Sequence, residues 1–258
     1  MDNYIHYIWI DFKNEMNPNP DIPEMFKDRI NICKNLNPDF QIKIWNGSDC
    51  YNFMKDNYSK YLVLYESLPE MIMKCDMARY FILYHYGGFY LDCDRICLKP
   101  FTGLIKKYKN YDVFLGKFNK NIVDLLKYCK LNVLNNDFLY SKKNSDFMLW
   151  CMENIKPKNM GNRTLNILNT AGPVFLSKMY ATYNGPEKIM VLSKEVNACD
   201  QCSCSADFSD SYTFADISNS SWHTPFDKFI NFVYCNSQYF LFVVVVLLFI
   251  NMLKRKPN

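Results

Sequence analysis

Several things are missing from this sequence, and each absence narrows what it can be. No long block of lysine and arginine occurs before the last residues. The 30 basic and 26 acidic side chains are spread along 258 residues, for a net charge of +4. That balance gives no reason to expect nucleic acid as a partner. The first twelve residues, "MDNYIHYIWIDF", have no basic leader and no long apolar core, so they do not read as a secretory signal. No second Cys-x-x-Cys accompanies the cluster Cys199, Cys202 and Cys204. A zinc site would want a regularly spaced fourth ligand, so zinc, a local disulfide and a loop of free thiols all stay open there. No internal repeat is visible.

What is present is a large apolar fraction. Hydrophobic residues make up 49% and aromatics 17%, enough to bury the core of one α/β domain with an appendage. Cys33, Cys75, Cys93, Cys129 and Cys151 sit singly inside apolar runs and read as small buried hydrophobes. Residues 239–253, "YFLFVVVVLLFINML", are almost wholly apolar and are followed by Lys254, Arg255 and Lys256. Begun near Phe229, the run reaches the roughly 20 residues a membrane-crossing helix needs, and the basic stop behind it fits an anchor. The expected organisation is therefore a folded domain over 1–226, a membrane helix over 229–253 and a basic tail over 254–258. The tail resembles a dilysine retrieval signal of the endoplasmic reticulum, which places the domain in the lumen. A tail anchor without a leader leaves it in the cytosol, so the orientation stays open.

Along the chain, "YIHYIWI" (4–10) reads as a first buried strand. A Pro-rich loop leads to a helix over 23–36 that opens on Pro23. "QIKIW" (41–45) alternates as a strand, and helical segments follow around 49–58 and 60–66. A longer helix runs from Glu70 to Gly87-Gly88, where glycine can take the positive φ that ends a helix. "FYLDCD" (89–94) then reads as a strand, "YDVFLG" (111–116) as another and "DFMLWCMENI" (146–155) as a helix. Strand and helix alternate through the first hundred residues, which implies an α/β fold with a largely parallel sheet.

The chemistry concentrates in "DMARYFILYHYGGFYLDCD" (76–94). Asp76 and Arg79 are three residues apart on a helix and share a face. A plain salt bridge would explain them, but the helix around them is strongly apolar, which suggests a cleft wall. On a strand, side chains alternate, so Tyr90, Asp92 and Asp94 face one way and Phe89, Leu91 and Cys93 the other. Two carboxylates roughly 7 Å apart on one face repel unless a cation neutralises them. Hard oxygen ligands suit Mg²⁺ or Mn²⁺, which keep positions open for water and phosphate oxygens. Ligands of α/β sheets bind at the carboxyl ends of strands, where this pair lies.

This stretch resembles the signature of the DXD-containing sugar-transferase family, which includes yeast Golgi and inositol-phosphorylceramide mannosyltransferases and is related to the glucosylating toxins of clostridia. Cys75 stands where that family commonly has Ser. Weaker similarities extend from "IHYIWI" near the start, through "NPDFQIKIWN" (37–46), "NDFLYSKKNSDFMLWCME" (136–153) and "TAGPVFLSK" (170–178), to "SNSSWH" (218–223). The resemblance implies a GT-A fold, with a Rossmann-like nucleotide-sugar-binding domain. It implies a hexosyltransferase that retains anomeric configuration, with Mn²⁺ or Mg²⁺, a GDP-mannose or UDP-hexose donor, and a glycan or glycolipid acceptor. It implies that Trp9 stacks on the base, that Asp76 and Arg79 hold the donor sugar and diphosphate, and that Tyr90 sits against the nucleotide. Asp92 would meet the ribose or metal, Asp94 the metal, Asn136 the donor sugar, and Ser220 and Trp222 would close over the diphosphate. Asp216 or His223 would complete the metal shell.

Plainer readings stand beside these. Trp9 reads equally as core, His6 as a satisfied core histidine, and Tyr90 as partly structural. A membrane-tethered carbohydrate-binding or scaffold protein on the same fold is the alternative from another class, against which the four intact residues Asp76, Arg79, Asp92 and Asp94 speak. A phosphohydrolase would want an Asp nucleophile after the first strand. Asp11 is there, but the Thr or Asp that should follow two residues later is absent.

Overall fold

The computed structural model describes residues 3–117, 133–193, 195–196, 208–215, 232–233 and 236. The first strand, β1 (Tyr4–Ile8), is followed by α1 (Glu24–Leu36), β2 (Gln41–Trp45), α2 (Gly47–Asn57), α3 (Leu62–Ser67) and α4 (Met71–Tyr86). Next come β3 (Gly88–Leu91), β4 (Arg95–Cys97), α5 (Phe101–Lys107), β5 (Val113–Lys117) and β6 (Leu134–Ser141). The later elements are α6 (Asp146–Asn154), α7 (Arg163–Thr170), α8 (Pro173–Thr182), β7 (Ile189–Leu192) and β8 (Thr213–Ala215).

Six strands form one mixed sheet in the order β2-β1-β3-β6-β5-β7. β1 is parallel to both β2 and β3, and β5 to β7, while β6 runs antiparallel to β3 and β5. The expected mixed, mainly parallel α/β sheet is present. Helices cover both faces. Tyr90 and Leu139 face a core built with α2, α4, α6 and α8, and Phe89, Leu91 and Phe138 face one built with α1 and α5. The alternation along β3 is the reason each strand residue can feed a different core.

Helix α4 is apolar on every side, and Met77 to Leu83 are all buried. Such a helix belongs inside the molecule. It ends where expected: Gly87 has φ 68° and Gly88 φ 93°. A Cβ on Gly88 would lie 2.4 Å from the Tyr4 carbonyl oxygen, so the strand can enter the sheet only as glycine.

Three expectations change. β3 stops at Leu91, and residues 92–94 form a turn closed by Arg95 N donating to the Asp92 carbonyl at 3.0 Å. Asp92 and Asp94 therefore stand on a turn at the strand's carboxyl end, not on the strand, because the chain must reverse into β4. Cys33 is not a free hydrophobe: it forms a disulfide with Cys97, 64 residues on, tying α1 to β4. Cys93 and Cys151 are free and buried, as their apolar surroundings implied; Cys75 is free but half-buried, and Cys50 is also free and buried. The part read as less regular also contains β6, whose polar start hid an entirely buried strand. Among the described residues no helix is long and apolar enough to cross a membrane. The membrane helix expected over 229–253 lies outside the described residues, apart from isolated positions.

Replacing Gly88 with Ala should lower unfolding stability by about 1–3 kcal/mol, from forced positive φ and the clash with Tyr4. Urea denaturation measures it, and an unchanged midpoint would contradict this helix-to-strand junction.

Candidate active site at the carboxyl end of the sheet

The site forms where α4, the end of β3 and a bulge of β6 meet. On β6, Leu139 pairs with Leu115, but the next residue of β5, Gly116, pairs with Asn135. Residues 136–138 are thus looped out of that ladder, a device that re-aims side chains beside sites. Asn136 consequently turns to α4, and its Nδ2 donates to Asp76 Oδ1 at 2.9 Å. The Asp137 carbonyl accepts from Asp92 N at 2.9 Å and so fixes the turn.

Arg79 is the hub and is 2% exposed. Its Nη2 lies 2.7 Å from Asp76 Oδ1 and its Nη1 3.5 Å from Asp92 Oδ1. Nη1 also donates to the Asn136 carbonyl at 2.5 Å, and the guanidinium lies 4.5 Å from the centre of the Tyr90 ring. The Tyr90 hydroxyl donates to Asp92 Oδ1 at 2.7 Å. Tyr90 itself is buried, so any influence it has on a ligand runs through Asp92. Burial pushes the Asp76 carboxyl up to about 6 even though Arg79 pulls it down.

Cys93, between the two acids, points inward and its Sγ lies 3.7 Å from the Ile8 carbonyl at the end of β1. This seats the turn at the carboxyl ends of two parallel strands. Asp94 is half-buried, and its Oδ1 is buried with no hydrogen-bond partner among the described residues. Burial, then Asp92 and Asp137, hold its carboxyl up to about 7, with Arg95 and Arg29 opposing. A buried carboxylate oxygen without a partner is a lone-pair donor that a bound cation would satisfy. Asp92 and Asp94 could thus hold a divalent metal. Among the described residues no three Asp, Glu, His or Cys side chains stand together as a complete metal set.

A second ring of residues escaped the sequence reading. Arg95, fully buried, reaches Asp137 Oδ1 and the Val196 carbonyl, each at 2.5 Å. Arg29 of α1 donates to the Asp94 carbonyl at 3.2 Å. The three polar residues Asn135, Asn136 and Asp137 interrupt an apolar run, and that interruption was the available signal for Asp137. Arg29 and Arg95 carried none. Trp9 is half-buried directly after β1, donates from Nε1 to the Asp21 carbonyl at 3.0 Å and lies 5.1 Å from the Phe26 ring. His6 is a satisfied core histidine: it meets the Gly87 carbonyl and the Trp45 Nε1, and burial pushes it down to about 4. Asp216, Ser220, Trp222 and His223 lie outside the described residues.

The sign of the Asp94 shift gives a test. Its carboxyl titrates near 7 in the fold and near 4 when unfolded, so ionisation destabilises the metal-free fold as pH rises between those values. In chelator, Asp94→Asn should be more stable than the parent at pH 8 by about 1 kcal/mol or more, and the difference should vanish below pH 4. Urea titrations at several pH values measure it; a variant that is less stable at pH 8 contradicts the burial of this carboxyl.

Residues 23–113 match the family described as "Glycosyltransferase sugar-binding region containing DXD motif". Inositol phosphoceramide mannosyltransferase 1 of Schizosaccharomyces pombe is 31% identical over 184 residues, 69% of this chain and 51% of that protein. A mannosyl phosphorylinositol ceramide synthase of Saccharomyces cerevisiae is 31% identical over 165 residues, 63% of this chain and 39% of that protein. An uncharacterized glycosyltransferase of Acanthamoeba polyphaga mimivirus is 35% identical over 124 residues, 45% of this chain and 47% of that one. The chain spans about half, or less, of the length of these relatives. The matched segment contains Asp76, Arg79 and the turn with Asp92 and Asp94, so the carboxylate site lies in the part of the chain that is similar to the DXD-containing glycosyltransferases.

Proposed function

We propose that this chain is a metal-dependent, configuration-retaining hexosyltransferase. It takes mannose, or a related hexose, from a GDP-mannose or UDP-hexose donor and passes it to a glycan or glycolipid acceptor. The observation that carries the reading is the convergence of Asp92, Asp94 with a buried oxygen that has no partner among the described residues, and the Asp76–Arg79–Asn136 network at one end of the sheet. Mannose, a glycolipid acceptor and a part in glycosphingolipid biosynthesis are supported by the names of the two yeast relatives.

Within this reading, Asp92 and Asp94 would hold Mn²⁺ or Mg²⁺, with Asp216 the proposed third protein ligand. The metal supplies positive charge against the negative charge that grows on the departing nucleoside diphosphate. Asp76 and Asn136, already joined by a hydrogen bond, orient the donor sugar's hydroxyls. Arg79 keeps Asp76 and Asp92 in register and presents a fixed positive charge behind the diphosphate. Trp9 is the proposed platform for the base, and Ser220 and Trp222 the cover over the phosphates. No side chain is assigned as a covalent nucleophile. A leaving-group phosphate oxygen takes the acceptor proton, which fits transfer to the face the diphosphate leaves. The Cys33–Cys97 disulfide supports an oxidising compartment, and the apolar run at 239–253 supports a membrane of the endoplasmic reticulum or Golgi with the domain on the lumenal side.

The test is release of nucleoside diphosphate from a panel of GDP- and UDP-sugars, with Mn²⁺ and with chelator. One donor should be turned over only with metal. Asp94→Ala should cut turnover on the order of 100-fold or more while circular dichroism shows an unchanged fold. Turnover that survives both chelator and this substitution removes the carboxylate pair from the reaction.

A further inference from the structure

The other end of β3 opens onto a cavity of about 280 Å³. It forms where β3 and β5 begin and β6 ends, because Ser141 pairs with both Gly88 and Val113. Gly88 lines this cavity, and Asp92 follows it four residues later, about 13 Å farther along an extended chain. The cavity and the carboxylate turn therefore sit at opposite ends of one strand. Ile105 of α5, with Tyr108 and Tyr111 of the connection that follows, bounds the space on one side.

Its walls are mostly aromatic. Phe40, Phe114 and Tyr140 line it, and all three are buried. Tyr140 faces this side because Phe138 and Tyr140 alternate with Leu139 on β6. Its ring is held by Phe114, stacked at 4.6 Å and 27°, and by Phe89, with centroids 4.7 Å apart. Tyr140 is only 9% exposed, yet its hydroxyl makes no hydrogen bond to any described residue. A phenol so enclosed ordinarily has a partner, and this one belongs to the cavity wall.

The charge around the cavity has one sign. Lys109, Lys142 and Lys143 line it, and no aspartate or glutamate does so among the described residues. Lys142 is neutralised by Asp112 at 2.7 Å. Lys109 and Lys143 are exposed and form no ion pair among the described residues. Ammonium groups bind phosphate oxygens through charge-assisted hydrogen bonds, and aromatic walls suit the flat apolar face of a ring. The volume limits the size of the occupant. It falls just below the roughly 300–1,000 Å³ of common small-ligand cavities, so it suits one ring with one phosphate and is too small for a nucleotide sugar.

We propose that this cavity binds a small ring compound carrying a single phosphate, either a sugar phosphate or a nucleoside monophosphate. The ring packs on the aromatic walls, the Tyr140 hydroxyl donates to a ligand oxygen, and Lys109 and Lys143 face the phosphate. The site is separate from the carboxylate turn and stands whether or not the transferase reading holds.

The test is saturation-transfer NMR on the full chain in chelator. Mannose 6-phosphate and GMP are titrated separately, with mannose and guanosine as their uncharged counterparts. At least one phosphate ester should bind with a Kd of about 1 mM or tighter, and about tenfold or more tightly than its uncharged counterpart. Which of the two binds separates a sugar from a base. Lys109→Ala combined with Lys143→Ala should weaken that binding about fivefold or more, and Tyr140→Phe, which keeps the ring, about threefold. Both lysines are exposed, so their loss leaves the fold intact. Asp94→Ala, at the far end of the sheet, should leave the affinity unchanged. The proposal is overturned if neither ester binds more tightly than its uncharged counterpart, or if the lysine variant or Tyr140→Phe binds like the parent. Loss of binding in Asp94→Ala also overturns it, because the ligand would then occupy the carboxylate site.

Discussion

A guanidinium buried in the middle of an apolar helix is the constraint around which this molecule is arranged. Withdrawing a charge from water costs several kcal/mol unless partners replace the solvent. Arg79 has them from three directions: Asp76 one turn earlier on α4, Asp92 at the end of β3, and the Asn136 carbonyl in the bulge of β6. Each partner lies on a different element, so the helix, strand and bulge are held at one relative placement. Without Arg79, the buried carboxylate of Asp76 would lose its ion-pair partner and Asp92 the positive charge beside it.

A second buried guanidinium repeats the logic one step farther along the chain. Arg95 pairs with Asp137, whose carbonyl caps the turn of Asp92, and Arg29 reaches the carbonyl of Asp94 from α1. The Cys33–Cys97 disulfide keeps α1 and β4 together, so Arg29 stays over that turn. The turn is thereby restrained through its backbone, while Oδ1 of Asp94 is left without a hydrogen-bond partner among the described residues. That division is what a cation site needs: rigid backbone, and oxygen atoms with unspent lone pairs.

Much of the local structure could be read from residue order. Glycine at 87 and 88 reported positive φ, the unbroken apolar helix before it reported burial, and alternation along Phe89, Tyr90 and Leu91 reported a strand with a core on each side. β6 was harder. Asn135, Asn136 and Asp137 look like a loop because three polar residues in a row do not belong in a buried strand, unless a bulge and buried partners accommodate them. The disulfide was hidden for a different reason: Cys33 and Cys97 each sit in apolar surroundings, and their 64-residue separation is invisible to any local pattern.

From the sequence alone came the α/β alternation, the helix, Gly-Gly and strand succession, and the two pairs Asp76–Arg79 and Asp92–Asp94, whose union in one site was what the family resemblance implied. These are properties of neighbours along the chain, set by steric rules and by periods of 3.6 and 2. Tertiary structure alone decided that the two acids occupy a turn and that Asn136 reaches Asp76. It also decided that Arg95, Arg29 and Asp137 surround the pair. Those facts depend on which distant segments the sheet order brings together and on which buried charges must find partners there, and no local pattern encodes that pairing.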